Sequence, residues 1–200
     1  MAWEFERASS LEEMENELRR CHVPENVIQE MRQEGEVYRQ SKQIQSSIQI
    51  KKSPSADSRT AQGDVSKEEL LNSTLMHIGD VQKVLSFLAN KLIEAGAVHD
   101  HTKISGIDDF YDDYKNAPPG DKFKAGKWFK EQHLTERHHL PDRCPDDVNL
   151  IDVMERVADS VAAGMARSGS VYDDPIDPEI LQKAYKNTFK LLMDNIEIVG

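Results

Sequence analysis

The sequence predicts an all-α protein, because helical periodicity recurs along the chain and strand patterns are nearly absent. Two capping boxes support that class, one formed by Ser10 with Glu13 and the other by Ser66 with Glu69. In each, a hydroxyl side chain at the helix start precedes a Glu by three residues, and apolar residues follow at helical spacing.

The overall charge limits the class of partner. The 200 residues include 25 basic and 36 acidic side chains, which gives a net charge of -11. Such a chain repels nucleic-acid backbones and anionic membranes, so we expect neither long nucleic acid nor a membrane as a partner. A small phosphate-containing substrate is still compatible with this charge, because a bound divalent ion dominates the field inside a site.

The cysteines and the lack of long apolar segments predict the compartment. Cys21 and Cys144 lie far apart and show no metal-type spacing, which favours a reducing cytoplasm over a disulfide framework. No apolar stretch is long enough to cross a bilayer, and the first ten residues lack the pattern of a signal peptide. We therefore expect a cytoplasmic protein.

The chain divides into three segments by composition. Residues 1–50 carry two amphipathic helices and form a predicted N-terminal helical extension, through which a protein partner or a second copy could bind. Residues 51–65 contain almost no side chains that can bury apolar surface, so we expect a flexible linker there. Residues 66–200 form the main helical domain.

Five helices are expected in the main domain. The first begins at Ser66, is strongly apolar, and is expected to end or bend at Asn90 or Gly96. Two short helices follow, one around Phe110 and one over about residues 123–133.

The last two helices have clear starts. The fourth begins at Asp146 or Asn149, and the fifth begins at Asp177, a capping residue that is followed by a proline in the first turn. The fourth helix shows one apolar stripe, formed by Leu150, Met154, Val157 and Val161. The fifth helix is expected to carry Leu181, Tyr185, Phe189, Leu192 and Ile196.

The dipeptide His99-Asp100 is the best indication of chemistry in the chain. It offers an imidazole nitrogen and a carboxylate oxygen from one turn of chain. Two adjacent ligands cannot complete a coordination shell, so a metal site requires further ligands that the fold brings together. His77 can be one of them only if the first helix reverses near Asn90 to Gly96, because a straight helix would separate the two imidazoles by roughly 30 Å.

Further candidate ligands occur later in the chain. His133, His138 and His139 lie in one segment, and Glu155 and Asp159 are four residues apart, which places them on one helix face. Such nitrogen and oxygen donors suit a divalent ion such as Mn, Fe, Zn, Ni or Mg. An ion of this kind lowers the pKa of a bound water and neutralises charge on a phosphoryl oxygen.

Simpler explanations exist for the histidines. His77 could be a core histidine, Asp100 could be a helix cap, and His133 could be exposed. His138 and His139 could lie in a solvated loop, since only one of two neighbouring side chains usually faces a given site.

The carboxylates have alternatives too. Asp159 could pair with Arg156 or Arg167. The acidic run from Asp108 to Asp113 lacks the glycine and the terminal Glu of a calcium-binding loop, so we expect a solvated face there.

The combined motifs resemble the HD-domain superfamily of all-α metal-dependent phosphohydrolases. The segment AGAVHDHTK is similar to the superfamily signature, an apolar residue followed by HD-x-x-K. A small HD-like family of phages and bacteria is closer still, because it shares the stretches HDHTKISGIDDF, WFKEQHLTERHHLPD and NLIDVMERVADSVAA. The resemblance covers about Leu70 to Arg167 and implies an HD-like helical bundle.

The resemblance also implies a role for each candidate residue. The primary ligands of the ion would be four side chains, namely His77, His99, Asp100 and Asp159. A supporting or second-metal group would be formed by His133 with His138 or His139. The groups that act on the substrate would be Lys103 and Arg137, which contact its phosphate, and Glu155, which acts on the attacking water.

The sequence therefore predicts a metal-dependent phosphohydrolase that acts on a nucleotide or another small phosphate ester, in the host cytoplasm if the chain is phage-encoded. The alternative is a non-catalytic interaction or structural protein of a phage type. In that case the HD-like domain is a scaffold, and residues 1–50 bind a partner.

Overall fold

A computed structural model describes most of the main domain and a few residues before it. The described residues are 19, 24–26, 28, 29, 47–52, 65–120, 124–171 and 173–199. Most of the helices predicted in residues 1–50 and most of the predicted linker lie outside them, so the division into three segments stays a prediction. Of the second predicted helix, Glu25, Asn26, Ile28 and Gln29 are described and are helical.

Helices dominate the described structure, which confirms the predicted all-α class. They are α1 (Lys67–Val98), α2 (His101–Ser105), α3 (Ile107–Asn116), α4 (Lys127–Glu131), α5 (Leu150–Ser168) and α6 (Pro178–Asn195), with a 3-10 turn at His133–Thr135. The two strands β1 (Ile48–Lys51) and β2 (Ile196–Val199) form one parallel pair. Within the described ranges, no helix is long and apolar enough to cross a membrane.

The predicted helix starts at Ser66, Asn149 and Asp177 are confirmed. Ser66 Oγ accepts from the backbone of Glu69 at 3.2 Å, and the Glu69 carboxylate accepts from the Ser66 backbone at 2.8 Å. Asn149 forms the second capping box with Asp152, and Asp177 accepts from the second residue of α6. These contacts pair N–H groups that have no partner within the helix.

The predicted end or bend in the first helix is wrong. α1 continues through Asn90 and Gly96 to Val98, and its 32 residues make a rod about 48 Å long. A single glycine costs a helix about 1 kcal/mol and does not end it when helix-forming residues such as Ala95 and Ala97 flank it.

One packed apolar cluster of the described residues lies between α5, α6 and the segment that precedes α5. Its fully packed members are Leu140, Val148, Val153 and Ala184. The apolar stripe predicted for α5 mostly faces outward: Met154, Val157 and Val161 are 40–49% exposed. The buried side of α5 carries Ile151, Asp152 and Val153 instead, because Asp152 caps the helix and binds Arg137 there.

The large apolar residues expected in α6 also face outward in part. Tyr185 and Phe189 are each 55% exposed, whereas Ala184 and Thr188 are buried. Thr188 Oγ1 accepts from the backbone of Leu150 at 2.9 Å, and this contact fixes the side of α6 that faces α5. The helix ends at Asn195, so the predicted helical Ile196 belongs to β2.

The strand pair attaches the segment before the main domain to its C-terminal end. Ile48 lies opposite Ile196, and Lys83 of α1 donates to the carbonyl of Gln49 at 3.0 Å. The predicted boundary between residues 50 and 51 therefore falls inside β1.

Candidate metal centre

Histidines and carboxylates from four places in the chain meet where the end of α1 packs against α5. His99 and Asp100 follow α1, and His133 begins the 3-10 turn. The loop after this turn contributes His138 and His139, and α5 contributes Glu155 and Asp159. The structure thus brings together every predicted metal residue except His77, and the predicted Glu155 lies with them.

One group of candidate ligands is centred on Glu155. Its Oε1 atom lies 2.9 Å from His99 Nδ1 and 3.0 Å from His138 Nδ1. The His99 contact is a hydrogen bond, whereas the His138 Nδ1 atom is buried and has no well-aligned acceptor among the described residues. The carboxylate is 10% exposed, so water screens these contacts weakly.

A second group contains Asp100, His133 and His139. The Nε2 atoms of His133 and His139 are 3.0 Å apart, and His133 Nε2 lies 3.5 Å from Asp100 Oδ1. Ligands that share one ion at bond lengths of about 2.0–2.2 Å lie about 3–3.5 Å from one another. The spacing of this group therefore fits a metal ion.

Asp100 belongs to the second group and also approaches the histidines of the first. Its Oδ2 atom is 3.6 Å from His99 Nε2, and its Oδ1 atom is 3.7 Å from His138 Nε2. Within the described part of the chain, Oδ1 is buried and has no hydrogen-bond partner. A buried carboxylate oxygen without a donor is costly, and a cation held between it and the ring nitrogens would remove that cost.

The backbone at Asp100 is strained. Its φ of 55° makes it the one non-glycine residue in the left-handed region among the residues described. Asp tolerates this region better than most residues, yet the conformation still requires support from the surrounding structure. Asp100 occupies the N-cap position of α2, as the simpler explanation expected, but its side chain forms no capping bond, so capping does not account for its carboxylate.

The orientation of His133 depends on residues that sequence reasoning missed. Its Nδ1 atom is 2.9 Å from Thr102 Oγ1, and the backbone N–H of Thr102 donates to Glu136 Oε1 at 2.9 Å. When Nδ1 carries the proton and donates to Thr102, the Nε2 lone pair faces Asp100. Trp128 stacks on the same ring with 5.1 Å between centroids.

Sequence offers a signal for only one of these supports. Thr102 lies three residues after His99 in the same motif, at the spacing of one helical turn. Glu136 contacts it across 34 residues of sequence, and no spacing rule predicts that contact.

The electrostatics at His99 favour a positive charge. Contacts with Asp159 and Glu155 raise the pKa of His99 to about 10 despite its burial. Burial acts to raise the pKa of Glu155, but its contacts with His138 and His99 lower it to about 2. The pKa of Asp159 is also lowered, chiefly by its contact with His99. Three carboxylates thus surround this imidazole, counting Asp100.

The electrostatics at His133 and His139 differ. Burial, followed by the charge of the neighbouring His139, lowers the pKa of His133 to about 4. Burial, followed by the charge of His138, lowers the pKa of His139 to about 4. Both imidazoles are therefore neutral at pH 7, which is the form that binds a metal.

His77 lies outside the centre, so its assignment as a ligand is wrong. It is exposed on α1, 22 residues before His99, and a continuous helix separates these positions by about 33 Å. The reversal that its role requires does not occur.

Arg137 makes structural contacts. Its guanidinium donates to both oxygens of Asp152, at 2.6 and 2.8 Å, and to Asp147 at 3.0 Å. These bonds hold the loop with the histidines against the start of α5. Lys103, by contrast, contacts Asp100 Oδ2 at the edge of the centre.

The simpler explanations for the other histidines are wrong. His133 and His138 are each 2% exposed, and His139 also turns inward toward His133. Both members of the His138-His139 pair therefore reach the centre, each from a different side. Asp159 lies 3.6 Å from His99 Nε2, and Arg156 pairs with Asp174 instead.

An open cavity of about 600 Å³ adjoins the centre on the side of Glu155. Its lining includes Lys91, His101, Arg137 and Glu155. Cavities of this volume accommodate small organic ligands.

Comparison of the chain with protein-family models, with curated proteins and with solved structures finds no match in any of the three. The fold and the site by themselves define a class of protein. The protein is a helical domain with two adjoining groups of histidine and carboxylate side chains that could bind a metal ion.

Proposed function

We propose that this protein is a metal-dependent phosphohydrolase that acts on a nucleotide or another small phosphate ester. The observation that carries the proposal is the position of Asp100 Oδ1, a buried carboxylate oxygen with no hydrogen-bond partner among the described residues. Imidazole Nε2 atoms lie at 3.5 and 3.7 Å from it. This donor set suits a divalent ion of the Mn, Fe, Zn, Ni or Mg type.

The residues that would hold the ion differ from those expected by resemblance. The expected His99, Asp100 and Asp159 remain, and His133, His138 and His139 take the place of His77. A bound divalent ion would supply a water of lowered pKa and would offset the charge that develops on phosphoryl oxygens.

Lys103 is the basic group at the centre that we assign to the substrate. It lies against Asp100 Oδ2, which places an ammonium beside the candidate ligands. An ammonium in this position would bind a phosphate oxygen and would balance the charge that grows on it during hydrolysis. The phosphate role expected for Arg137 has less support, because Asp152 and Asp147 already accept its hydrogen bonds.

Glu155 is proposed as a positioning residue. Sequence reasoning expected it to act on the attacking water, but its carboxylate contacts His99 Nδ1 and lies beside His138 Nδ1. A carboxylate on Nδ1 fixes the ring orientation and leaves Nε2 for an ion. The neighbouring cavity of about 600 Å³ would accept the organic part of a substrate.

Two measurements test the proposal. Elemental analysis of the full chain should find a first-row transition metal or Mg. A hydrolysis screen over nucleoside mono-, di- and triphosphates, with Mn²⁺ added, should then release phosphate or pyrophosphate.

Two variants give the screen its control. Asp100→Ala should lose both the metal and the activity while the helices remain, as checked by circular dichroism. Asp173→Ala removes an exposed carboxylate elsewhere and should lose neither. A metal-loaded protein that hydrolyses none of these esters would favour the interaction role instead, and full metal content in Asp100→Ala would remove the assigned centre.

A further inference from the structure

The capping bond that Asp100 does not make is made by another residue. The side chain of an N-cap Asp normally accepts from the backbone N–H of the second or third helical residue. In α2 the second residue is Thr102, and its N–H donates to Glu136 Oε1 at 2.9 Å. Glu136 directly follows the 3-10 turn and lies 34 residues further along the chain. A carboxylate from outside α2 thus replaces that of Asp100 as the cap.

The backbone of Asp100 agrees with this replacement. An Asp that caps its own helix has an extended backbone, whereas Asp100 has a φ of 55° and a ψ of 20°. In this conformation its Oδ1 atom lies 3.5 Å from His133 Nε2 and 3.7 Å from His138 Nε2. Asp100 therefore has two alternatives, a relaxed backbone with its carboxylate on α2, or a strained backbone with its carboxylate in the centre.

Glu136 is held firmly in the position that this role requires. Its side chain is 6% exposed, and Oε1 also lies 2.9 Å from His101 Nδ1. Its backbone N–H donates to the carbonyl of His133 at 3.0 Å. Without the Glu136 carboxylate, the buried N–H of Thr102 would lose its acceptor, and the nearest replacement in the chain is the carboxylate of Asp100.

We propose that Glu136 is a positioning residue of the metal centre: by accepting from Thr102 it leaves the Asp100 carboxylate free to bind the ion. The same bond fixes Thr102, whose Oγ1 atom lies 2.9 Å from His133 Nδ1. One carboxylate thus orients two candidate ligands, although it is not a candidate ligand itself. The inference rests on the metal centre of the proposed function, but it does not depend on which ester the protein hydrolyses.

Competition for Zn²⁺ between the full chain and a chelator of known affinity tests this role. Glu136→Ala should bind Zn²⁺ about 10–100-fold more weakly, which is the usual loss when a partner that orients a ligand is removed. Glu136→Gln should recover most of the affinity, because its amide oxygen can still accept from Thr102. Glu131→Ala removes an exposed carboxylate at the end of α4 and should bind Zn²⁺ as the parent does.

The Tm of the metal-free protein separates positioning from a general weakening of the fold. Glycine adopts the left-handed conformation without strain, and Asp100→Gly also removes a buried oxygen that has no partner among the described residues. With excess chelator, this substitution should therefore raise the Tm of the parent by about 2–4 °C. In Glu136→Ala, where Asp100 has become the cap, the same substitution should not raise the Tm, because a capping side chain is lost.

Three outcomes would overturn the proposal. They are equal Zn²⁺ affinity in Glu136→Ala and the parent, affinity in Glu136→Gln as low as in Glu136→Ala, and an equal rise in Tm from Asp100→Gly in both backgrounds. If Glu136→Ala does not fold, Glu136→Asp takes its place, because the shorter side chain keeps the charge and withdraws the acceptor from Thr102. A protein that shows the expected differences in Zn²⁺ affinity but hydrolyses no ester would support this role and refute only the hydrolase.

Discussion

Asp100 combines a left-handed backbone, a buried carboxylate oxygen without a partner among the described residues, and imidazoles on two sides. Left-handed backbone in a non-glycine residue costs about 1–2 kcal/mol, and an unpaired buried polar group costs a similar amount or more. Neither feature contributes to the stability of the chain by itself. A cation bound by Asp100 would offset both costs.

Glu155→Gln tests whether Glu155 positions the imidazoles of His99 and His138. The amide keeps the size of the side chain but loses the charge that His99 and His138 face. Because partners that orient metal ligands affect affinity strongly, we expect metal binding to weaken by about 10–100-fold. Titration against a chelator of known affinity measures the change. Glu179→Gln, on the exposed start of α6, is the matched control, and equal affinity in both variants would contradict the role.

Arg137→Lys separates a structural role from a substrate role. Lysine keeps the charge but cannot donate to both oxygens of the buried Asp152. We expect the free energy of unfolding to fall by only about 1–2 kcal/mol, because the Arg137 side chain is 41% exposed and water partly screens the ion pair. Urea denaturation measures this fall. An unchanged stability with a raised KM would restore the phosphate role that the sequence suggested.

The residue types of the centre could be predicted from sequence, but their pairing could not. The dipeptide at 99–100 and the four-residue spacing of Glu155 and Asp159 are local patterns. The pairing of His133 with Thr102 joins positions 31 residues apart, and it depends on how a loop packs. The role of His77 required a reversal of the chain near Asn90 to Gly96, and the continuous helix α1 contradicts it.

Among the elements, helix starts were predictable and the faces of the helices were not. Capping residues form contacts within four residues, so the sequence determines them directly. The side of a helix that becomes buried depends on its partners. In α5 the capping Asp152 and its bond to Arg137 determine that side, although a wider apolar stripe lies elsewhere on the helix.

Gly96→Ala tests the continuity of α1. A Cβ at Gly96 meets no atom within 4 Å, and alanine favours a helix interior by about 1 kcal/mol over glycine. We therefore expect a more stable protein by up to that amount. Gly169→Ala should have the opposite effect, because Gly169 ends α5 with a φ of 68°. A loss of stability in Gly96→Ala would indicate a turn at this position.

The segment between α5 and α6 gives a pH prediction. Burial acts to raise the pKa of Asp174, but bonds from Ser160 and Arg156 lower it below its usual range. A lowered pKa in the folded state stabilises the protein above the unfolded value of about 3.9, and this contribution is lost as the pH falls through the folded value. Asp174→Asn should therefore be less stable than the parent at pH 7, as urea denaturation would show.

The pH dependence of the stability of Asp174→Asn provides a control. The difference between Asp174→Asn and the parent should shrink from pH 5 to pH 3, as the parent carboxylate takes up its proton. A difference that stays constant over this range would show that charge is not the cause.

For the whole molecule, metal binding should add measurably to the free energy of unfolding. A ligand at 100 times its dissociation constant stabilises the folded state by about 2.7 kcal/mol. For a chain of this length, that corresponds to an increase in Tm of about 5–10 °C. Thermal melts with Mn²⁺ or Zn²⁺, and after chelation, measure the increase. Asp100→Ala should show none, and an equal increase in that variant would place the ion elsewhere.

The parallel pair of β1 and β2 has a consequence for how the chain can be handled. These strands pair residue 48 with residue 196, so the chain from α1 to α6 forms one long loop. A few main-chain hydrogen bonds between the strands close this loop. A pair of strands by itself is only marginally stable in water. The pairing of β1 with β2 therefore depends on contacts with α1, such as the bond from Lys83 to Gln49. A bulky tag placed directly after Val199, or removal of the four residues of β2, should therefore release β1, which lies far away in sequence.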